Sequence, residues 1–572
     1  RGQRDGLVLR DRAAIEAEMV AVVDRAPNAE QAVTAVRAIR RRELFRIVAA
    51  DLLGLLDGEA GASVAGGVAE LRDRIGDAAS SDALDRLGRA LTDVTAATIE
   101  AALTAVVAFR AARADRDSSG NQVSDGAMSG DGASDGGASD GGAADGAVPG
   151  GDPSVTGALG SGAVGAGVDG RGASGGDVPD GGVPGEGASS SGPDELRDDS
   201  RGDREGNLSD DNRAEPRGGV REELPGGARD ASAGERAGSD AWRRLPTRLA
   251  VIAMGRFGGG ELGYGSDADV MFVHEPVDGA DEHQASAVAF ELANELRRLL
   301  QAPGTDPPLA IDTDLRPEGR QGPLVRSLAS YAEYYRRWSR VWESQALLRA
   351  APIAGAKGVG ARFVALIDPI RYPEKGLPDT DVIEIRRLKA RMEAERLPRG
   401  ADRALHTKLG PGGLSDVEWV VQLLQLRYGA QVPALRVTGT RAALTAATAA
   451  GLIGEDDRSL LDDAWYQTTR MRNGITLVRG RPGDQVPTGA RDLAVIARYL
   501  DSWHRAAVPA AEHGPGPNQG PGAGAAPWES GGTTPALGGL LDRHRADKEA
   551  LLDAHRRRAR RARGVFERLF YG

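Results

Sequence analysis

No cysteine occurs anywhere in the chain, so neither a disulfide framework nor a thiolate-bound metal is available to it. Long apolar runs are also missing. Nothing approaches eighteen consecutive apolar residues and no signal peptide opens the sequence, which predicts a soluble, cytoplasmic protein with no membrane segment. The seven histidines are scattered with no i, i+4 pair, and none is expected to ligate a metal. Aromatic residues make up only 4% of the chain against 79 glycines, too few for every part of it to bury a core. The first residue is Arg1 rather than Met, as in a fragment or a processed piece.

The shortage of aromatics is uneven. Residues 115–240 contain none, are built largely of Gly, Asp, Ser and Ala, and carry 26 acidic against 10 basic residues. This stretch cannot bury enough apolar surface to offset its ordering entropy and reads as a disordered, low-complexity insert. Its net −16 exceeds the −11 of the whole, so the remaining residues net +5. The acidic balance belongs to the insert, and the rest is mildly basic.

The most informative stretch is Leu249–Glu275, LAVIAMGRFGGGELGYGSDADVMFVHE. A buried strand (Leu249–Met254) leads into a glycine-dense turn (Gly255–Gly265), then Ser266, then Asp267-Ala268-Asp269 running into a second apolar strand. Strand alternation puts Asp267 and Asp269 on one face and Ala268, Val270 and Phe272 on the other. Paired carboxylates repel unless cations lie between them. With oxygen ligands only, the cation expected is hard, Mg²⁺ or Mn²⁺. Two such ions on a triphosphate are standard equipment for in-line nucleotidyl transfer, and the glycines offer backbone N–H groups to phosphate.

This strand, glycine turn and Ser-Asp-x-Asp pattern resembles the nucleotidyltransferase superfamily typified by DNA polymerase β, and within it the glutamine synthetase adenylyltransferases. Arg256, after the first glycine, matches the basic residue of the latter. Two later blocks follow in the family's order. Ile311-Asp312-Thr313-Asp314-Leu315-Arg316-Pro317, then Gly319 to Val325, is similar to the block holding the family's third carboxylate. Asp312 takes that place, and Asp314 stands where arginine is usual. His406 to Glu418 is similar to the K-x-G-x-G-G-L-x-D-V-E-W element, with Pro411 in place of a basic residue. The resemblance implies Asp267, Asp269 and Asp312 as catalytic metal ligands, and Gly255, Arg256, Gly258, Gly259, Ser266 and Lys408 around the nucleotide phosphates.

The fold expected is α+β, a polymerase-β-like nucleotidyltransferase domain with a small mixed sheet flanked by helical bundles. Its parts are a helical lead-in (1–114), the insert (115–240), the catalytic domain (241–380) and a helical domain (381–572) interrupted by a flexible linker at about 506–535. Helices are predicted over 12–57 and 81–113, with Asn28 and Gln31 at capping-box spacing and Arg37, Arg40 and Arg41 on a solvated face. Further helices span 283–300, with Val288, Leu292, Leu296 and Leu299 inward, and 331–350, with Trp338, Trp342 and Leu348 as core. From Asp381 onward Val382, Ile385, Leu388 and Met392 form a stripe opposite Arg386, Lys389 and Arg391. Ser415 and Glu418 have capping-box spacing, Lys408 and Asp416 stand at a glycine turn suited to an anion, and Leu461 to Ile475 marks another helix. Arg320, Arg349 and the run Arg556–Arg563 read as surface cations.

The family resemblance implies ATP-dependent transfer of AMP to a tyrosine of glutamine synthetase. A single Ser-Asp-x-Asp block implies only the adenylylating, C-terminal half of an enzyme that usually has two catalytic halves. A PII-type signal protein is an expected partner, and nucleic acid is not, since no basic groove or template module is present. The alternatives are a uridylyltransferase of a nitrogen signal protein and a catalytically weak regulatory protein of the same fold.

Overall fold

The computed structural model describes residues 7–56, 70–124, 240–506 and 537–572, all within one compact unit drawn from Arg1–Ala166 and Arg229–Gly572. The glycine-rich insert and the second linker fall almost wholly outside these residues. The chain opens with α1 (Arg12–Val23), α2 (Ala29–Leu52) and α3 (Glu70–Ser124). The break between α1 and α2 is made by Asn28, whose Oδ1 accepts from the Gln31 amide at 2.9 Å, the capping bond its spacing predicted. Helix α3 continues to Ser124, past the start of the insert as read from composition.

Part of α3, Ala83–Ala114, is long and apolar enough by length and composition to cross a membrane, although Asp93 and Glu100 interrupt it. Of its most apolar window 72% is buried inside the protein, where α3 packs against α1, α2 and the sheet. Alanine and valine occur all round it because neighbours cover most of its surface.

The sheet is built from β1 (Thr247–Ala253), β2 (Ala268–Pro276), β3 (Ile311–Asp312), β4 (Val325–Ser327) and β5 (Ala351–Gly355), with α4 (Glu282–Gln301) between β2 and β3. Strand order is β3-β2-β1-β5, with β4 also pairing β2. The β1 pairs with β2 and β5 are antiparallel, and those of β2 with β3 and β4 are parallel. This is the small mixed sheet expected, in an α+β fold. Both faces are covered. Leu249, Val251, Val270 and Phe272 join a core with α3 and with Val288, Leu292, Leu296 and Leu299 of α4. Ala250, Ile252, Met271 and Val273 pack on the other face against α5 (Leu328–Trp338) and α7 (Lys357–Arg371). The helix predicted over 331–350 is two, because α5 stops at Trp338 and α6 (Val341–Leu347) restarts on the Arg340–Glu343 cap. Leu348 is buried, but Trp338 is 67% exposed, not core.

The helical region follows as α8 (Asp379–Glu395), α9 (Leu414–Tyr428), α10 (Thr440–Ala449), α11 (Glu455–Arg479), α12 (Ala490–Ala506) and α13 (Leu537–Phe566). Several charges read as solvated are buried. Arg37 and Arg40 reach across to the backbone carbonyls of Ala302, Asp306 and Pro307, clamping α2 to the loop after α4. Lys389 is fully buried, its Nζ 2.6 Å from Asp416 Oδ1 and 3.0 Å from Glu393. Arg563 of α13 completes that cluster at 2.9 Å from Glu393 and 3.2 Å from Asp416. Buried charges are tolerated only when paired in this way.

Candidate active site

Strand β1 ends at Ala253, and the chain enters a helical turn, Gly255–Gly258. Gly255 has φ +52°, and a Cβ there would lie 2.5 Å from Asp269 Oδ2. Only glycine both takes that backbone conformation and leaves the carboxylate room. Asp269 is the second residue of β2, and Asp267 stands one residue before the strand. Across the sheet Asp269 pairs in register with Asp312 of β3, so two of the three predicted carboxylates come from neighbouring strands at the same level. Asp312 Oδ1 accepts from the Asp314 amide at 2.8 Å. Asp314 itself lies beyond β3 in a turn and pairs with the exposed Arg320 at 2.7 Å.

The carboxylates feel one another. Burial first, and then the Asp312 charge, push Asp269 up to about 7 against the partial relief of Lys408. Asp267 is raised for the same reasons in the same order. Among the described residues no three His, Cys, Asp or Glu side chains already close on one point. Even so, an oxygen-only set of mutually repelling carboxylates is the donor chemistry that a hard divalent cation satisfies.

Asp267 and Asp269, but not Asp312, stand on the wall of a cavity of about 170 Å³. Of the residues predicted for phosphate, Gly255, Arg256, Ser266 and Lys408 line it with Asp267 and Asp269. Ser266 Oγ accepts from the Gly263 amide at 3.1 Å and closes the turn. Arg256 donates Nε to the Glu261 carbonyl at 2.8 Å, and its Nη1 has no hydrogen-bond partner among the described residues. Burial and then the neighbouring Arg472 push its guanidinium down to about 10. Gly258 and Gly259, also read as phosphate seats, do not line this cavity. A Cβ on Gly258 would stand 1.8 Å from the Arg349 carbonyl oxygen, so that glycine serves close backbone packing. Asp416 is also removed from the site. It is fully buried, holding the Gly412 amide at 2.7 Å as well as Lys389 and Arg563.

Other residues of the cavity were not singled out by sequence. Glu418 faces it instead of capping α9. The helix begins at Leu414 after Gly413 without a side-chain cap, and Ser415, inside the helix, meets Lys389 Nζ at 3.1 Å. Arg349 is buried, not a surface cation. It joins Glu261 at 2.9 Å and also bonds Thr440. Trp342, Trp419, Gln345 and Gln422 form wall between α6 and α9, the two amides bonded at 2.7 Å. From α11 come Thr469, Arg472, Asn473 and Thr476, a helical i, i+3, i+4, i+7 face. That spacing was legible, but the sequence does not say which helix faces meet across a cavity.

Residues 231–366 match the family model described as glutamate-ammonia ligase adenylyltransferase. These hold the glycine turn and all three aspartates. The relatives are named accordingly: a bifunctional glutamine synthetase adenylyltransferase/adenylyl-removing enzyme of Streptomyces coelicolor is 57% identical over 327 residues. These relatives are glutamine synthetase adenylyltransferases. The adenylyltransferase of Streptomyces avermitilis is 56% identical over 328 residues, and that of Mycolicibacterium smegmatis 58% over 253. The matches cover 57%, 57% and 44% of this chain, and 29%, 29% and 25% of those adenylyltransferases, so the chain spans less than a third of their length. Residues 386–514 match a second model, GlnD PII-uridylyltransferase. The family resemblance carried by the motifs is therefore the one that the relatives' names repeat.

Proposed function

We propose that this chain transfers AMP from ATP to a tyrosine hydroxyl of glutamine synthetase, acting in the cytoplasm as the adenylylating half of the bifunctional enzymes it resembles. The observation that carries the reading is the in-register pair Asp269 and Asp312 beside the positive-φ Gly255 turn. This pair lies in the segment that matches the adenylyltransferase model. Asp267, Asp269 and Asp312 would hold Mg²⁺, or Mn²⁺ in its place. Held there, such an ion would supply positive charge to offset that of the triphosphate. The unpartnered Nη1 of Arg256 and the Lys408 ammonium meet phosphate oxygens on the same wall. Asp312 takes the tyrosine proton as the hydroxyl oxygen bonds to the α-phosphorus and the bond to pyrophosphate breaks.

A second reading is favoured by the match of residues 386–514 to the PII-uridylyltransferase model, namely UMP transfer from UTP to a PII-type signal protein. Mass spectrometry decides between them. Glutamine synthetase and a PII-type protein are each incubated with the chain, Mg²⁺ and either ATP or UTP. AMP-tyrosine on the synthetase alone supports the first reading, and UMP on the signal protein replaces it with the second. ADP release from adenylylated synthetase and phosphate would reassign the chain to the removing half.

A further inference from the structure

The face of α11 turned to the cavity holds two polar atoms that the protein leaves without partners. Thr469 and Asn473, one helical turn apart, are 4% and 3% exposed. Both line the cavity, and Thr469 Oγ1 and Asn473 Nδ2 have no hydrogen-bond partner among the described residues. A buried polar atom without a partner is unfavourable unless something else supplies one. Asn473 is also fixed in orientation. Its Oδ1 accepts from the Tyr264 amide at 3.2 Å, so the group left over is the Nδ2 donor. The amide lies directly over the glycine turn, because a Cβ on Gly263 would be 2.6 Å from Asn473 Oδ1 and 3.8 Å from Ser266 Oγ. Asp267 is the next residue.

Resting on the proposed transfer of a nucleotide, we infer that α11 completes the nucleotide site, with Thr469 Oγ1 and Asn473 Nδ2 binding the ribose hydroxyls of the nucleoside triphosphate. The chemistry separates sugar from phosphate. Phosphate oxygens only accept, and the same cavity offers them the cations Arg256 and Lys408. A sugar hydroxyl both donates and accepts. It matches a neutral pair made of one fixed donor and one hydroxyl able to do either. The helical region thereby contributes specificity for a ribonucleotide, not only a framework.

Calorimetric binding of ATP and 2′,3′-dideoxy-ATP, each with Mg²⁺, to the full chain tests this without any protein substrate. The wild type should prefer ATP by about tenfold or more, because a site built around a hydroxyl leaves its own groups unpaired when that hydroxyl is missing. Thr469→Val, nearly isosteric, should weaken ATP about tenfold, leave dideoxy-ATP unchanged and keep the ligand-free melting temperature. Asn473→Asp keeps the acceptor for Tyr264 and should likewise flatten the preference between the two nucleotides. Variants that retain the wild-type preference would overturn the assignment, as would a wild type that binds both nucleotides equally, with the proposed function still standing. A wild type that binds neither nucleotide removes both.

Discussion

Asp269→Asn isolates the electrostatic tension of the site. In the folded protein burial and Asp312 hold this carboxyl at about 7, against an ordinary value of 3.8. A carboxyl raised on folding is protonated in the native state while the unfolded chain has already ionised. Stability therefore falls as pH rises from the unfolded value through the folded one, and the loss is complete above about pH 8. Between pH 5 and pH 8 about two pKa units of this loss remain, at 1.36 kcal/mol each. Because the side chain lines an open cavity, solvent screening trims the effect to roughly 1–3 kcal/mol. Asparagine has no charge to lose, so the variant's stability relative to wild type should grow by that amount from pH 5 to pH 8. Urea unfolding in EDTA, followed by tryptophan fluorescence at both pH values, measures it. Added Mg²⁺ should recover the difference at pH 8 in the wild type only, and AMP transfer by the variant should fall by several kcal/mol of barrier, each 1.4 being about tenfold. Parallel pH dependences for the two proteins in EDTA would refute the claim that Asp269 is strained by its neighbours.

Asp312→Asn should reduce transfer at least about a hundredfold, whereas Asp314→Asn, which loses only a pair with the exposed Arg320, should stay within about fivefold in the same assay. Gly258→Ala should destabilise by about 1–3 kcal/mol or more, since its Cβ meets the Arg349 carbonyl. Gly564→Ala, inside α13 with open space around it, should instead stabilise by about 0.5–1 kcal/mol in the same melts. Asp416→Ala should cost about 3–5 kcal/mol in urea titrations, because Lys389 and Arg563 lose a buried partner. Glu418→Gln loses no capping bond but removes a charge 3.9 Å from the buried Arg349, and should cost about 1–2 kcal/mol in the same titrations while lowering transfer.

The parts legible in sequence were those whose cause is local. The glycine turn with its aspartates, the Asn28 cap and the stripe Val288, Leu292, Leu296 and Leu299 each follow from residues a few positions apart. What escaped depends on distant partners. Arg37 and Arg40 look like solvated charges until the carbonyls of Ala302, Asp306 and Pro307 arrive, some 265 positions later. Lys389 is a polar-face lysine by periodicity and a core residue once Asp416 and Glu393 surround it. Glu418 fits a capping template at the right spacing, yet the N-cap of α9 is Gly413, two residues before the Ser415 that the template requires. Tryptophans 338 and 342 share a helical stripe on paper, but the chain breaks between them and sends one to solvent and the other to the cavity.

Asp51, at the end of α2, is fully buried and accepts from two tyrosine hydroxyls. One is Tyr264 of the glycine turn at 2.6 Å and the other is Tyr499 of α12 at 3.0 Å. A single carboxylate thus fastens together pieces drawn from the beginning, the middle and the far end of the sequence. A shortened version of this protein cut at residue 241, where the motifs begin, would carry every predicted metal ligand and still lose the anchor of its turn. It would also take from both hydroxyls the carboxylate that they share. The smallest portable unit of this fold is therefore not the stretch that carries the signature. It has to include the opening helices.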